Sequence, residues 1–406
     1  MQPLSGIRIA DFSHVMAGPY ASYLLRLLGA EVIKIEQPAG DPMRNYGTDR
    51  SYDGMAPAFI AVNAGKKSIA LDLKQPRQLA VAQDIIRRSD VLLENFRPGV
   101  MDRLGLGYEQ VQELKPDLIY CSVSGYGQSG PLRDWPAIDN IVQATSGMMS
   151  LGGNAIDIPM RVGFPVVDTL TGQTAAFAIL AALLRRERDG KGAYIDVAMF
   201  DATLAFMASA VVPFLVTGKA LESTGNTGYS GQPTSALFRT RDGRTISLGV
   251  VQQHQFAALA ELLERKDWLD DPRFSNPDQR RANAQAMLQE LEREFARRDA
   301  KDWERCMSEA GIPCGMVRGV GEAASMPHLT GRNAILPLTI PGLPGCEDVH
   351  VVNAGFMMQQ GDGPGVAEVP PRLGRDSLAI LQWLGYDMEK ITALNLAGSI
   401  SAQSDP

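Results

Sequence analysis

Apolar positions in the first 125 residues follow two alternating periods. Ile7-Arg-Ile-Ala-Asp-Phe12 and Glu31-Val-Ile-Lys-Ile-Glu36 are short, β-branched and bounded by turn residues, so both read as strands. Between them, residues 20–28 repeat apolar side chains at helical spacing and stop at Gly29. A strand–helix–strand unit of this kind needs parallel strands with a helix laid across them. The pattern continues with strands at 68–73, 90–94 and 119–124 and helices at 76–89 and 108–115. The expected fold class is α/β, with a doubly wound, Rossmann-like sheet.

From residue 138 the spacing is helical through 149, and 152–165 reads as a loop. A long apolar helix is expected at 169–188, a short strand at 194–197 and a second apolar helix at 200–216. The stretch 217–234 is rich in Gly, Ser, Thr and Pro and marks a boundary. Beyond it, a hairpin over 235–250 turning at Asp242-Gly243, then charged helices over 255–310, predict a smaller α+β domain. Proline-broken strands at 334–352 and helices at 377–384 and 388–396 close the chain. The longest apolar run, 170–184, ends in Arg185, Arg186 and Arg188 and falls short of a membrane span, so it reads as a buried helix.

Composition narrows the function. With 406 residues and a net charge of −7, the chain gains nothing from the phosphates of nucleic acid. Cys121, Cys306, Cys314 and Cys346 lie far apart and form no metal-ligand spacing, so no metal is expected and the thiols read as free. Free thiols and an N-terminus without a basic, then apolar, leader point to a cytoplasmic protein.

The stretch Gly125-Tyr-Gly-Gln-Ser-Gly130 matches the G-x-G-x-x-G dinucleotide fingerprint and follows a strand. It leads, however, into Pro131 and Pro136 rather than a helix, and the first strand–helix turn, 13–19, lacks those glycines. A nicotinamide or flavin enzyme is therefore not expected. Other residues carry candidate chemistry. Asp168 ends an apolar run just before the long helix, where it is either an N-cap or a carboxylate nucleophile. Asn95-Phe-Arg-Pro-Gly99 and Lys74 follow strands, which is where ligands bind in such sheets. His14 lies in the first strand–helix turn, and Asp139 again resembles an N-cap.

Taken together, Asp11-Phe-Ser-His-Val-Met-Ala-Gly-Pro19, Glu94-Asn-Phe-Arg-Pro-Gly-Val-Met-Asp-Arg-Leu-Gly105, Ser124-Gly-Tyr-Gly-Gln-Ser-Gly-Pro131 and Gly311-Ile-Pro-Cys-Gly315 resemble the class III CoA-transferases, of the CaiB/BaiF type. The resemblance runs in order from Leu4 to about Leu384. It implies Asp168 as the catalytic residue. It also implies coenzyme A contacts at Val15, Met16, Ala17, Leu71, Lys74, Asn95, Phe96, Arg97 and Arg103. Coenzyme A and acyl-CoA are then substrates, with no tightly bound cofactor.

The implied architecture is a large CoA-binding domain from 1–200 and 330–406, a linker helix at about 200–224 and a small domain at 225–329. Two such ring-shaped chains are implied to interlock as a homodimer, with no nucleic acid or membrane partner. Met16, Gln37 and Pro136 depart from the formyl-CoA transferase pattern, and the long glycine-run loop of oxalate-specific members is absent. The expected acceptor is a small dicarboxylate such as succinate, itaconate, mesaconate, malate or a glutarate-like acid. Arg44 and Arg161 are candidate clamps for its distal carboxylate. His14, Gly125, Tyr126 and Gly127 are candidate substrate contacts, the glycines exposing backbone N–H groups to an oxyanion. Two alternatives share these residues: an α-methylacyl-CoA racemase and a non-catalytic acyl-CoA-binding protein. Racemisation needs a paired acid and base, and no histidine lies between His14 and His254 to supply one.

Overall fold

The computed structural model describes residues 1–396 except Arg50, 154–158, Thr224 and Asn395, so part of the expected loop at 152–165 lies outside the described residues. The chain divides into two units: Met1–Ser146, Val162–Val212 and everything from Pro327 form the first, Gly147–Arg161 and Pro213–Met326 the second. The second unit thus takes in 147–161, which the sequence reading placed in the large domain, and begins inside the expected linker helix.

The first unit is built on a six-stranded parallel sheet in the order β3-β2-β1-β4-β5-β6. Its strands are β1 (Arg8–Asp11), β2 (Glu31–Glu36), β3 (Lys67–Ala70), β4 (Val91–Glu94), β5 (Ile119–Ser124) and β6 (Ala193–Ala198). Helices cover both faces, which is why these strands read as apolar runs rather than half-polar ones. One face packs Ile33, Ile69 and Leu92 against Val81, Ile85 and the C-terminal Ile380 and Leu381. The other packs Ile9, Val32 and Ile119 against Leu25 and Ile179. The strand order reverses between β1 and β4, so the ligand crevice of such a sheet opens at the carboxyl ends of those two strands.

Three helices bear on that crevice: α1 (Ala17–Leu27), α2 (Asp139–Thr145) and α3 (Val166–Asp189). By length and composition α3 could cross a bilayer, but half of its most apolar stretch is buried. Ala175, Ile179 and Leu183 lie in the core beside the sheet, which makes it a core helix. Its far side exposes Phe177 and Leu184. Where α3 meets α1, a Cβ on Gly172 would stand 2.6 Å from the Ala17 carbonyl oxygen and 3.2 Å from the Ala21 nitrogen. No side chain fits there, and the two backbones touch.

The first unit also carries an antiparallel pair, strands Ile335–Thr339 and Asp348–Val352. In the second unit three antiparallel strands, Leu237–Arg239, Thr245–Leu248 and Cys314–Met316, pack with helices around Phe238, Phe256, Trp268, Phe295 and Trp303. Their hairpin turns at Asp242-Gly243, with Gly243 at φ +75 in the left-handed region.

Candidate active site

The loops after β1 and β4 are tied to each other at the switch point. Asn95 Oδ1 accepts the His14 N–H at 2.8 Å, and Asn95 Nδ2 donates to the His14 carbonyl at 2.8 Å. The His14 ring lies 5.1 Å from that of Phe96, and burial pushes it below its ordinary pKa. Next, Val15 takes φ +65, a left-handed conformation that costs a β-branched residue about 1–3 kcal/mol. Its N–H is held by Asp41 Oδ1 at 3.2 Å. Met16 stands at the N-cap position of α1 and Ala17 is its first residue.

What holds this turn is a buried ionic cluster. Lys34 Nζ lies 2.9 Å from Asp41 and donates to the Ser13 carbonyl at 2.8 Å. Asp11 accepts the Ser13 N–H at 3.0 Å, the Ser22 hydroxyl at 2.6 Å and Lys66 Nζ at 3.2 Å. These four ionic side chains are at most 1% exposed. Burial alone would raise the Asp11 and Asp41 carboxyls; the ammonium groups of Lys66 and Lys34 outweigh it and hold both below the usual range. The cluster was missed in the sequence, although a lysine inside the apolar strand Glu31-Val-Ile-Lys-Ile-Glu36 was a signal for a buried pair.

A cavity of about 250 Å³ opens at the ends of β1 and β2, lined by Phe12, His14, Ile35, Gln37, Pro42 and Phe96 among others. Leu71 is buried and donates its N–H to the Glu36 carbonyl at 2.7 Å. Lys74, Arg97 and Arg103 are exposed after β3 and β4. None of the three makes a side-chain hydrogen bond or ion pair among the described residues. In a protein of net charge −7, three such cations at the ligand-binding end of a sheet suit an anion.

Asp168 lies inside the first turn of α3, because the helix starts at Val166 with Pro165 in the N-cap position. Its reading as an N-cap is therefore corrected. The cap comes from α2: Asp139 Oδ2 accepts the Val167 N–H at 2.7 Å and the Asp168 N–H at 3.1 Å. Asp139 Oδ1 accepts from Gln143 Nε2 at 2.6 Å, and Gln143 Oε1 accepts the Val162 N–H at 2.9 Å. No described residue hydrogen-bonds or ion-pairs with the Asp168 carboxylate. Burial, and then the Asp139 charge, push Asp168 up to about 7. Asp168 sits one turn before Gly172 on the same helix face, so it is turned toward the N-terminal end of α1. A carboxylate pushed up to about 7, without a partner among the described residues and turned toward the N-terminal end of α1, is suited to nucleophilic attack.

Two expectations need correcting. Arg44 is no substrate clamp: it is buried, its Nε and Nη2 donate to Glu36 at 2.7 and 2.6 Å, and it stacks over Phe59 at 4.0 Å. Glu36 is spent on that pair. Gly127 does not offer its amide to an oxyanion: its N–H donates to Ser124 Oγ at 3.0 Å, and the neighbouring Gln128 N–H donates to Asp196 Oδ2 at 2.8 Å. Tyr126 is buried between Trp135 and Phe200. Gly125 still serves close approach, since a Cβ there would stand 2.3 Å from Ala137 Cβ, two residues before Asp139. The loop thus supports the segment that caps α3. Arg161, the other clamp candidate, is exposed and falls in the second unit.

A profile described as CoA-transferase family III matches residues 4–377. The chain is 40% identical to acetyl-CoA:oxalate CoA-transferase of Acetobacter aceti, over 86% of this chain and 91% of the relative. It is 33% identical to succinyl-CoA:glutarate CoA-transferase of Mus musculus, over 98% of this chain and 91% of the relative. The crystal structure of a CAIB/BAIF family protein from Brucella suis superposes with a TM-score of 0.84 at 29% identity, covering 94% of this chain and 99% of that one. The chain carrying this unpartnered aspartate at the mouth of a parallel sheet belongs to CoA-transferase family III.

Proposed function

We propose that the enzyme moves coenzyme A from an acyl-CoA donor to a short dicarboxylic acid through a covalent thioester on Asp168. The observation that supports this reading is the Asp168 carboxylate itself, half-buried, pushed up to about 7 and without a hydrogen-bond or ion-pair partner among the described residues. Ionised, it attacks the thioester carbonyl; the C–S bond breaks, leaving a mixed anhydride and a CoA thiolate. The thiolate attacks the Asp168 carbonyl carbon, releases the donor acid as carboxylate and forms the aspartyl thioester. The acceptor carboxylate then runs the same two steps in reverse, and Asp168 is restored with no net proton transfer. Covalent steps divide one difficult exchange between weak nucleophiles, and exclusion of water protects both intermediates from hydrolysis.

Lys74, Arg97 and Arg103 are suited to the phosphates of coenzyme A, and the 250 Å³ cavity beside Phe96 to its adenine ring. The acceptors named for both relatives, oxalate and glutarate, are dicarboxylates, which supports the same class here. Racemisation is disfavoured because residues 137–140 bring Asp139, with both oxygens already accepting N–H donors, and no histidine. We also propose an interlocked homodimer. Phe177 and Leu184 on the outer side of α3, with Phe206 beyond it, are exposed apolar side chains that a second copy would cover. A monomer at micromolar concentration would contradict that. A matrix of acyl-CoA donors against free acids, read by chromatography of the CoA products, tests the activity. Transfer to dicarboxylates is expected, and turnover retained by Asp168→Ala would overturn the assignment of the nucleophile.

A further inference from the structure

We infer that Asp139 is a positioning residue for Asp168, capping α3 from a neighbouring helix while holding a like charge at the reacting end. This inference rests on Asp168 being the nucleophile. The geometry is unusual for a helix N-terminus. A carboxylate in the first turn normally gains from the free N–H groups and the helix dipole. Here the N–H groups of Val167 and Asp168 both donate to Asp139 Oδ2, so a second anion has taken that stabilisation. Asp139 cannot turn away, because Gln143 holds its other oxygen and is itself buried and bonded to the Val162 N–H.

α1, α2, β5, β6 and the helix Met199–Phe206 pack against α3. Their titratable groups are Tyr20, Tyr23 and Arg26 on α1, Asp139 on α2, Tyr120 and Cys121 on β5, Tyr194 and Asp196 on β6, and Asp201 on the helix Met199–Phe206. Of these, Asp139 is the one that bears on the Asp168 charge. That charge exists in the free enzyme and disappears in the anhydride and the thioester. Repulsion from Asp139 therefore raises the free carboxylate relative to both covalent intermediates, and the strain is relieved as the first bond forms.

The test is the pH dependence of kcat/KM for the wild type, Asp139→Asn, Asp139→Ser and Asp139→Glu, with Tm measured for each. The wild type is expected to lose activity below a midpoint near 7. The two neutral variants keep an acceptor oxygen but lose the charge. Their midpoint should move to lower pH by about one unit, with kcat on the plateau about tenfold lower. Asp139→Glu should keep the wild-type midpoint. Either neutral variant suffices if the other does not fold. A neutral variant with the wild-type midpoint, whatever its Tm, makes Asp139 a cap only and overturns the inference. Turnover by Asp168→Ala would remove the underlying reading as well, so the two failures are distinct.

Discussion

Two sets of carboxylates in the first unit, one fully buried and one half-buried, are treated oppositely. Asp11 and Asp41 each meet an ammonium group, and both are held below the ordinary carboxyl range. Asp168 meets another carboxylate instead, and burial first, then that charge, push it up to about 7. The paired cluster fixes the backbone of the first strand–helix turn, including the strained Val15, and takes no part in bond making. The unpaired group lowers the stability of the fold and has no structural return. A buried charge without a partner is costly, and a site that retains one marks where chemistry happens.

The sharpest way to break this comparison is Asp168→Asn. Transferase turnover should fall by at least about 10³-fold in steady-state assays. The same variant should be more stable than the wild type at pH 8, by a few degrees in calorimetry. The sign follows from the raised folded value. The unfolded carboxyl ionises near 3.8 while the folded one resists until about 7, so wild-type stability falls as pH rises through that window and stays lower above it. At pH 3 the two proteins should melt together.

The paired cluster should behave the other way. Lys34→Met leaves Asp41 and Asp11 short of a buried cation and is expected to cost about 3–5 kcal/mol in urea unfolding. In the wild type the depressed Asp11 and Asp41 values mean that their stability is present at neutral pH and lost as pH falls below the ordinary range. Gly172→Ala is smaller in effect, since its methyl group would stand 2.6 Å from the Ala17 carbonyl and must part α1 from α3. About 1–3 kcal/mol of stability and about tenfold in kcat should go together. Smallest are Lys74→Ala, Arg97→Ala and Arg103→Ala. Each should raise the acyl-CoA KM about threefold to tenfold with kcat kept, and the loss should shrink at high salt.

The sheet was legible because strands β1 to β5 are buried along most of their length and bounded by turn residues, so local pattern and fold agree. The site was legible in part. Asp168 stood out, but Val166-Val167 read as an apolar run ahead of the helix, and the helix start was set three residues late. Its cap comes from Asp139, 29 residues away, and no local rule finds a partner at that distance. Arg44 read as a candidate clamp because its ion pair with Glu36 forms only when the chain doubles back after β2. The glycine loop was read as an amide donor, yet Ser124 and Asp196 take those amides once β5 and β6 pair. In each case the missing information was tertiary.

The central claim is a covalent bond from Asp168 to coenzyme A. It is tested most directly by incubating the enzyme with succinyl-CoA, quenching with hydroxylamine and mapping the modified peptide by mass spectrometry. The account predicts a hydroxamate on Asp168, formed only when acyl-CoA is present and absent from Asp168→Asn. Turnover with no modified residue, or with the label on a different side chain, would contradict it.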